Sequence, residues 1–245
     1  MIVSNKYGLL FLQTPRTAST AIAGELTGRY GGAKIHFKHA NYFIFSRRAT
    51  KAQLDYLVFA SVRNPIASTF SKYNKYLSDH KGKYSRLENK KTRKSWAESR
   101  ELAFYSFVQQ TKSFSKYITT YYKTPFVNHL AIHKDRCNDV IRFETLEQDF
   151  ARVLARRHIK LELPLPYVNE TCKSQQYSLD RLSRSELRHF AFVFGPFMEE
   201  WGYDFPDVFD GVKIPASAPL IYAAKKSLVR ACAIATAYCH IPYPT

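Results

Sequence analysis

Apolar residues along the chain form short continuous runs, and these alternate with segments of helical spacing. Tyr7-Gly-Leu-Leu-Phe-Leu-Gln13 is almost wholly apolar and ends at Thr14-Pro15. A run this short, bounded by a turn, predicts a strand buried on both faces. Ile22, Leu26 and Tyr30 recur every four residues and predict a helix from about Ser19 to Tyr30, stopped by Gly31-Gly32. Ala33 to Phe37 reads as a short second strand. Leu54 to Val62 is apolar, β-branched and aromatic, the strongest strand signal in the chain. It ends at Arg63-Asn64-Pro65, and Pro65 suits the start of a helix carrying Ile66, Phe70, Tyr73 and Leu77. Helical patterning resumes over Glu101–Tyr122. Val140 to Phe143 predicts a short strand, Leu146 to Arg157 a helix, and Leu163 to Pro166 a loop. Ser185 to Trp201 predicts a helix capped by Gly202. Strands alternating with helices predict an α/β fold, one domain over residues 1–245, with a parallel sheet covered on both faces.

Two segments break this pattern. Ser78 to Arg100 holds eight Lys or Arg against three Asp or Glu and few apolar residues. It reads as an exposed insertion, either a solvated loop or a basic lid for an anionic acceptor. Residues 218–241 are apolar but interrupted by Lys225, Lys226 and Arg230. They predict an amphipathic helical tail, docked on the domain or lying on a membrane surface.

The chain has 245 residues, 45% hydrophobic and 23% charged, a composition that excludes a disordered tail, a collagen-like chain and a disulfide-stapled miniprotein. Charge narrows the picture further. Lys and Arg number 37 against 20 acidic residues, a formal net charge of +17. Such an excess implies an anionic partner: nucleic acid, a membrane surface, a nucleotide or an acidic polymer. The four cysteines, at 137, 172, 232 and 239, include no C-x-x-C, so they read as thiols of a reducing compartment and no metal site is expected. No apolar run is long enough for a signal peptide or a membrane span, which leads to the expectation of a cytoplasmic protein.

Two strand ends carry the chemistry. Gln13-Thr-Pro-Arg-Thr-Ala-Ser-Thr20 joins the first strand to its helix. Such a junction aims backbone N–H groups and the positive helix end at one point, an anion site suited to phosphate. Arg16, Thr17, Ser19 and Thr20 line it, and it lacks the G-x-x-x-x-G-K-[ST] pattern. At the second strand end, Ser71 lies eight residues after Arg63, so a guanidinium and a hydroxyl could meet a second anion.

Together these stretches resemble the sulfotransferases that use 3′-phosphoadenosine-5′-phosphosulfate (PAPS). Pro15-Arg-Thr-Ala-Ser-Thr20 is similar to the family's P-K-T-x-G-T loop, and Val62-Arg-Asn-Pro65 with Ser71 to its 3′-phosphate motif. Ile141-Arg-Phe-Glu-Thr-Leu-Glu-Gln-Asp-Phe150 resembles a further family segment. Leu163 to Asn169 and Trp201-Gly-Tyr-Asp204 resemble the C-terminal part of bacterial and heparan 2-O-like carbohydrate sulfotransferases. The resemblance covers about residues 8–206. It implies a P-loop NTPase-like sheet flanked by helices. It implies that Pro15, Arg16, Thr17, Ala18, Ser19 and Thr20 hold the 5′-phosphate, and that Arg63 and Ser71 hold the 3′-phosphate. The sulfuryl group would pass in line to a hydroxyl or amine of a polar or acidic acceptor, a carbohydrate, with no metal. Arg16 stands where the family has Lys, and would act as a fixed positive charge. Ser19 stands where it has Gly, so a left-handed backbone there would strain it.

An acceptor hydroxyl needs a base, and histidine suits neutral pH. His36 and His39, in Lys34-Ile-His-Phe-Lys-His-Ala-Asn41, follow the first helix and the second strand. The resemblance to carbohydrate sulfotransferases favours His39, and that to small-molecule sulfotransferases favours His36. Other readings are a P-loop nucleotide kinase or phosphotransferase, and a homologue that binds the cofactor without turnover. A nucleic-acid partner is not expected, since no recognition motif accompanies the charge. Acceptor identity and oligomeric state are not encoded in any of these motifs.

Overall fold

A computed structural model describes residues 1–162, 164–165, 179 and 181–238. Five strands, β1 (Ile2–Ser4), β2 (Leu9–Leu12), β3 (Ala33–Lys34), β4 (Leu57–Val62) and β5 (Asp139–Arg142), form one sheet in the order β3-β1-β2-β4-β5. The helices are α1 (Ser19–Arg29), α2 (Tyr42–Ser46), α3 (Lys51–Leu54), α4 (Pro65–Leu77), α5 (Lys83–Glu88), α6 (Trp96–Thr111), α7 (Phe114–Tyr121), α8 (Leu146–Ala155), α9 (Arg184–Trp201) and α10 (Ser217–Tyr238). The architecture is α/β; the strands and helices read from the apolar pattern are present with shifted bounds, and β1, α2, α3 and α5 are added to them.

The sheet is mixed, which corrects the expectation of a wholly parallel one. β2, β4 and β5 run parallel, with Phe11 opposite Phe59 and Ser61 opposite Ile141. β1 runs antiparallel to both β2 and β3. The link from Ser4 to Leu9 is far too short for the crossover that a parallel pair needs. Gly8, at φ 59°, takes the left-handed conformation in this tight return.

The chain divides into two compact units. The first comprises residues 1–63, 127–169 and 223–245 and contains the whole sheet. β2 and β4 are buried at every position. Their side chains join Ile22 and Leu26 of α1, Ile141 of β5, and Phe150, Val153 and Leu154 of α8 in one core. The rings of Phe11 and Phe59 stack at 5.0 Å between centroids. Burying either side chain stabilises the unit by roughly 2–3 kcal/mol.

The second unit comprises residues 64–126 and 170–222 and is helical in its described part. Its core is dominated by aromatic rings, among them Phe70, Tyr73, Tyr76, Tyr84, Tyr117, Phe190 and Phe194. Asn64 starts α4 by accepting hydrogen bonds from the amides of Ile66 and Ala67, with Pro65 in the first turn where its missing N–H costs nothing. Here the basic segment departs from the solvated-loop reading. Residues 80–82 form a 3-10 turn, α5 follows, and α6 begins at Trp96. Tyr84 is the reason: it is 1% exposed, its ring 5.2 Å from that of Tyr105 and 5.0 Å from that of Tyr76. Asp79 accepts from the amides of Tyr84 and Ser85 and holds the start of α5. The charged side chains around this one anchor stay at the surface.

The helix expected over Glu101–Tyr122 is two helices, α6 and α7. Lys112 takes φ 45°, and Ser113 caps α7 through the amide of Lys116. Ser95 and Glu98 form a capping box that moves the start of α6 earlier than the apolar spacing indicated. α9 ends as expected at Gly202, φ 62°, with Pro196 inside the helix. α10 spans most of the predicted tail; Tyr222 is buried, while Leu220 and Leu228 are exposed.

Candidate functional site

The segment from Gln13 to Thr20 turns β2 into α1. Its backbone is strained at two residues: Arg16 has φ 66° and Ala18 has φ 56°. Ser19 is the first residue of α1 and does not take a positive φ, so the strain expected at Ser19 lies instead at Ala18, the helix cap. A left-handed residue costs a non-glycine side chain roughly 1 kcal/mol or more, and such strain clusters at ligand sites. Alternating left- and right-handed residues turn successive N–H groups toward one side, a concavity that attracts anions. Ala18 offers α1 no side-chain cap. The amides of Ser19 and Thr20, in the first turn, have no acceptor within the helix, and they carry the positive end of its dipole.

Each side chain of the loop has a distinct position. Thr17 is buried; its hydroxyl donates to the Thr14 carbonyl at 2.9 Å and meets the Ser61 hydroxyl at 2.6 Å. A hydroxyl has one hydrogen, so Ser61 is the donor in the second bond. Thr17 thus ties the loop to β4, and its backbone amide is what it can offer a ligand. Ser19 is buried, Pro15 and Thr20 are exposed. Thr20 accepts from the Lys38 ammonium at 2.9 Å, which brings a mobile cation to the helix start. Arg16 Nη1 and Thr14 Oγ1 are buried and have no hydrogen-bond partner among the described residues. Buried polar atoms, a guanidinium nitrogen above all, are costly without an acceptor. An anion in the loop would supply one.

His39 is held against this loop. Its Nδ1 lies 2.8 Å from the carbonyl oxygen of Gln13. A carbonyl only accepts, so Nδ1 carries the proton and the neutral ring keeps its lone pair on Nε2. Burial lowers the His39 pKa most; the bond to Gln13 raises it by less, and neighbouring Lys38 lowers it slightly. The ring is therefore a base, unprotonated at neutral pH. His36 differs: it is exposed, sits at φ 52°, and its pKa is lowered by burial and by Arg48. Of the two candidates, His39 is the one bonded to the loop.

Two histidines that the sequence reading passed over lie behind His39. Burial pushes the His129 pKa down to about 4, and the nearby His39 lowers it further. The His133 ring is 5.0 Å from that of His129, fully buried, and pushed down to about 3 by the same cause. Their four-residue spacing was the visible signal. Ser61, inside an apolar strand, gave none.

Arg63 follows β4, two residues beyond Ser61, with its guanidinium 4.0 Å over the Phe143 ring. Phe143 extends β5 through a hydrogen bond from its amide to the Val62 carbonyl. All these residues belong to the first unit. Ser71 is a buried residue of α4 in the second unit.

Among the described residues no group of three or more His, Cys, Asp or Glu is arranged to hold a metal ion. Cys137 and Cys232 are free thiols, and burial pushes Cys137 up to about 12, too high for a reactive thiolate. Cys172, Cys239 and all but two residues of the Leu163–Asn169 stretch lie outside the described residues. Among the described residues no helix is long and apolar enough to cross a membrane. Comparison with protein-family models, with curated proteins and with solved structures returns no match.

Proposed function

We propose that the chain is a sulfotransferase whose loop from Gln13 to Thr20 receives the 5′-phosphosulfate end of PAPS. His39 would be the base that takes the proton from an acceptor hydroxyl or amine, most simply that of a carbohydrate. The observation that carries this reading is the bond between His39 Nδ1 and the Gln13 carbonyl. It sets a base with a bare Nε2 beside a strand-to-helix loop built for an anion. The unpartnered Arg16 Nη1 and Thr14 Oγ1 fit an oxyanion. So do the left-handed turns at Arg16 and Ala18.

In this reading the amides from Arg16 to Thr20 bind the 5′-phosphate. Arg16, which effectively never loses its proton, holds fixed positive charge where the leaving phosphate gains negative charge. Lys38 adds a second, movable charge from its position at Thr20. Arg63 binds the 3′-phosphate, for which a planar guanidinium is well matched. When bound, PAPS supplies an activated sulfuryl group, and the residues contribute position and electrostatics. The same loop chemistry would admit other nucleotides, so a kinase is the competing reading. The missing Lys of a Walker loop weighs against it.

The test is calorimetric titration with 3′,5′-adenosine bisphosphate, set beside 5′-AMP and ATP–Mg²⁺, at two salt concentrations. Selective binding of the bisphosphate is expected. Equal binding of all three, or binding of none, overturns the cofactor assignment. A steep salt dependence of RNA or DNA affinity without bisphosphate binding would turn the +17 charge toward nucleic acid.

A further inference from the structure

A surface helix ordinarily turns its apolar side chains inward and its charged ones to water. α10 does the reverse. Leu220, Ala224, Leu228, Ala231, Ala235 and Tyr238 recur at spacings of three and four residues, so they form one stripe along the helix. All six are exposed, Leu220 by 74%, Leu228 by 66% and Tyr238 by 63%. The helix has 22 residues and is about 33 Å long, and the stripe runs along most of it. Its charged residues, Lys225, Lys226 and Arg230, are partly buried, and it contains no Asp or Glu. A continuous exposed apolar face marks an interaction surface, unlike single scattered apolar residues.

The other side of the helix is fixed to the first unit. Asn41 donates to the Ala233 carbonyl at 3.3 Å, and Arg47 donates to that of Ala237. Arg230 makes two bonds to Asp135, at 2.7 and 2.6 Å. These contacts set the rotation of α10 about its axis, so the stripe cannot turn inward without breaking them.

Charge selects what covers the stripe. A second copy would bring a further +17 and a further helix with three cations and no acid, so two copies repel. An anionic lipid surface carries the opposite sign. By helical spacing Lys225 neighbours Leu228, and Arg230 neighbours Ser227 and Ile234, so cations border the stripe on both edges. Arg47 stands at its C-terminal end, 4.9 Å over the Tyr238 ring, where its partners, a ring and a carbonyl, carry no charge. An apolar stripe edged by Lys and Arg and ending in Tyr suits the boundary between lipid headgroups and acyl chains.

We propose that α10 is a membrane-docking helix: its inner side grips the first unit, and its outer stripe lies in the headgroup region of an anionic membrane. The helix lies on the bilayer and does not cross it. This role is independent of sulfuryl transfer.

The test sediments the full chain with vesicles of phosphatidylcholine mixed with phosphatidylserine, and with vesicles of phosphatidylcholine alone, at two salt concentrations. Binding to the mixed vesicles above the neutral ones is expected, weaker at the higher salt. Basic charge anywhere on the chain would give that result, so the deciding variant leaves charge untouched. Leu220→Ser with Leu228→Ser removes apolar area at two exposed positions and should lower affinity for the mixed vesicles about tenfold or more. Leu228→Ser alone should give a smaller loss, and it decides the matter if the double variant does not fold. Vesicle binding that the serine variants leave unchanged overturns the proposal, as does wild type that binds neither kind of vesicle. Sedimentation velocity without lipid covers the second copy: a dimer that the serine variants disperse overturns the proposal too.

Discussion

The ring of His39 and the main-chain carbonyl of Gln13, 26 positions apart in sequence, lie 2.8 Å apart across Nδ1 and the oxygen. This contact joins a histidine to the first residue of the strand-to-helix loop, and it fixes which nitrogen carries the proton. His39→Ala should leave binding of 3′,5′-adenosine bisphosphate unchanged and slow transfer to a hydroxyl acceptor by roughly 10²–10⁴-fold. His36→Ala, which removes an exposed ring, should change neither bisphosphate binding nor transfer. Parallel calorimetry and turnover assays check both; a large loss of turnover in His36→Ala alone would move the base to that residue.

Arg63 follows β4, with its guanidinium 4.0 Å over the Phe143 ring. Arg63→Ala should weaken bisphosphate binding by about 1.5–3 kcal/mol, the scale of a charge-assisted hydrogen bond. Binding of 5′-AMP, which lacks the 3′-phosphate, should change little. Equal weakening of both ligands would show that Arg63 does not read the 3′-phosphate.

The left-handed conformation of Ala18 can be probed without any ligand. Ala18→Gly removes the Cβ clash but adds freedom to the unfolded chain, so it should be neutral or stabilising by up to about 1 kcal/mol. Ala18→Val puts a β-branched side chain in the same conformation and should cost about 1–2 kcal/mol. Urea midpoints of the three proteins give the order; a Val variant as stable as wild type would show that the backbone there is not left-handed.

Burial of His129 and His133 makes stability depend on pH. Their ordinary value is 6.5, and in the folded chain they fall to about 4 and about 3. Between these values the unfolded chain binds more protons, so stability is complete above about pH 6.5 and is lost as pH falls. His133→Leu removes one of the two groups. Relative to this variant, wild type should lose on the order of 3 kcal/mol more between pH 7 and pH 4. Denaturation curves at several pH values test this, and parallel pH profiles for the two proteins would contradict it.

Tyr84 anchors the basic segment to the aromatic core of the second unit. Tyr84→Ala should destabilise that unit by about 3 kcal/mol or more, as for other buried aromatic truncations. Trp96→Ala removes a side chain that is 75% exposed and should cost almost nothing. Protease cleavage within residues 78–100 should accelerate in the first variant only.

Much of this protein could be read from residue order, because local physics acts over few positions. Runs such as Leu9–Leu12 and Leu57–Val62 are strands because a wholly apolar segment of that length is stable only when buried on both faces. Ser19–Arg29 and Pro65–Leu77 are helices because their apolar residues recur on one face between a turn and a stop. The loop from Gln13 to Thr20 was legible for the same reason: a strand end followed at once by a helix start concentrates amides whatever surrounds it. Tertiary structure decided what depends on distant partners. β1 had no signal in its three residues, and it exists because Leu9–Leu12 offers it an edge. The charge of residues 78–100 hid Tyr84, whose burial needs Tyr76 and Tyr105 beside it. Ser61 became a partner of the loop only when β4 lay beside β2, bringing it to Thr17 across 44 positions. The choice between His36 and His39 lay beyond any spacing argument, since both follow the same short strand. The folded chain places His39, not His36, on the Gln13 carbonyl, a partner that a hydrogen bond can reach only once the chain has folded.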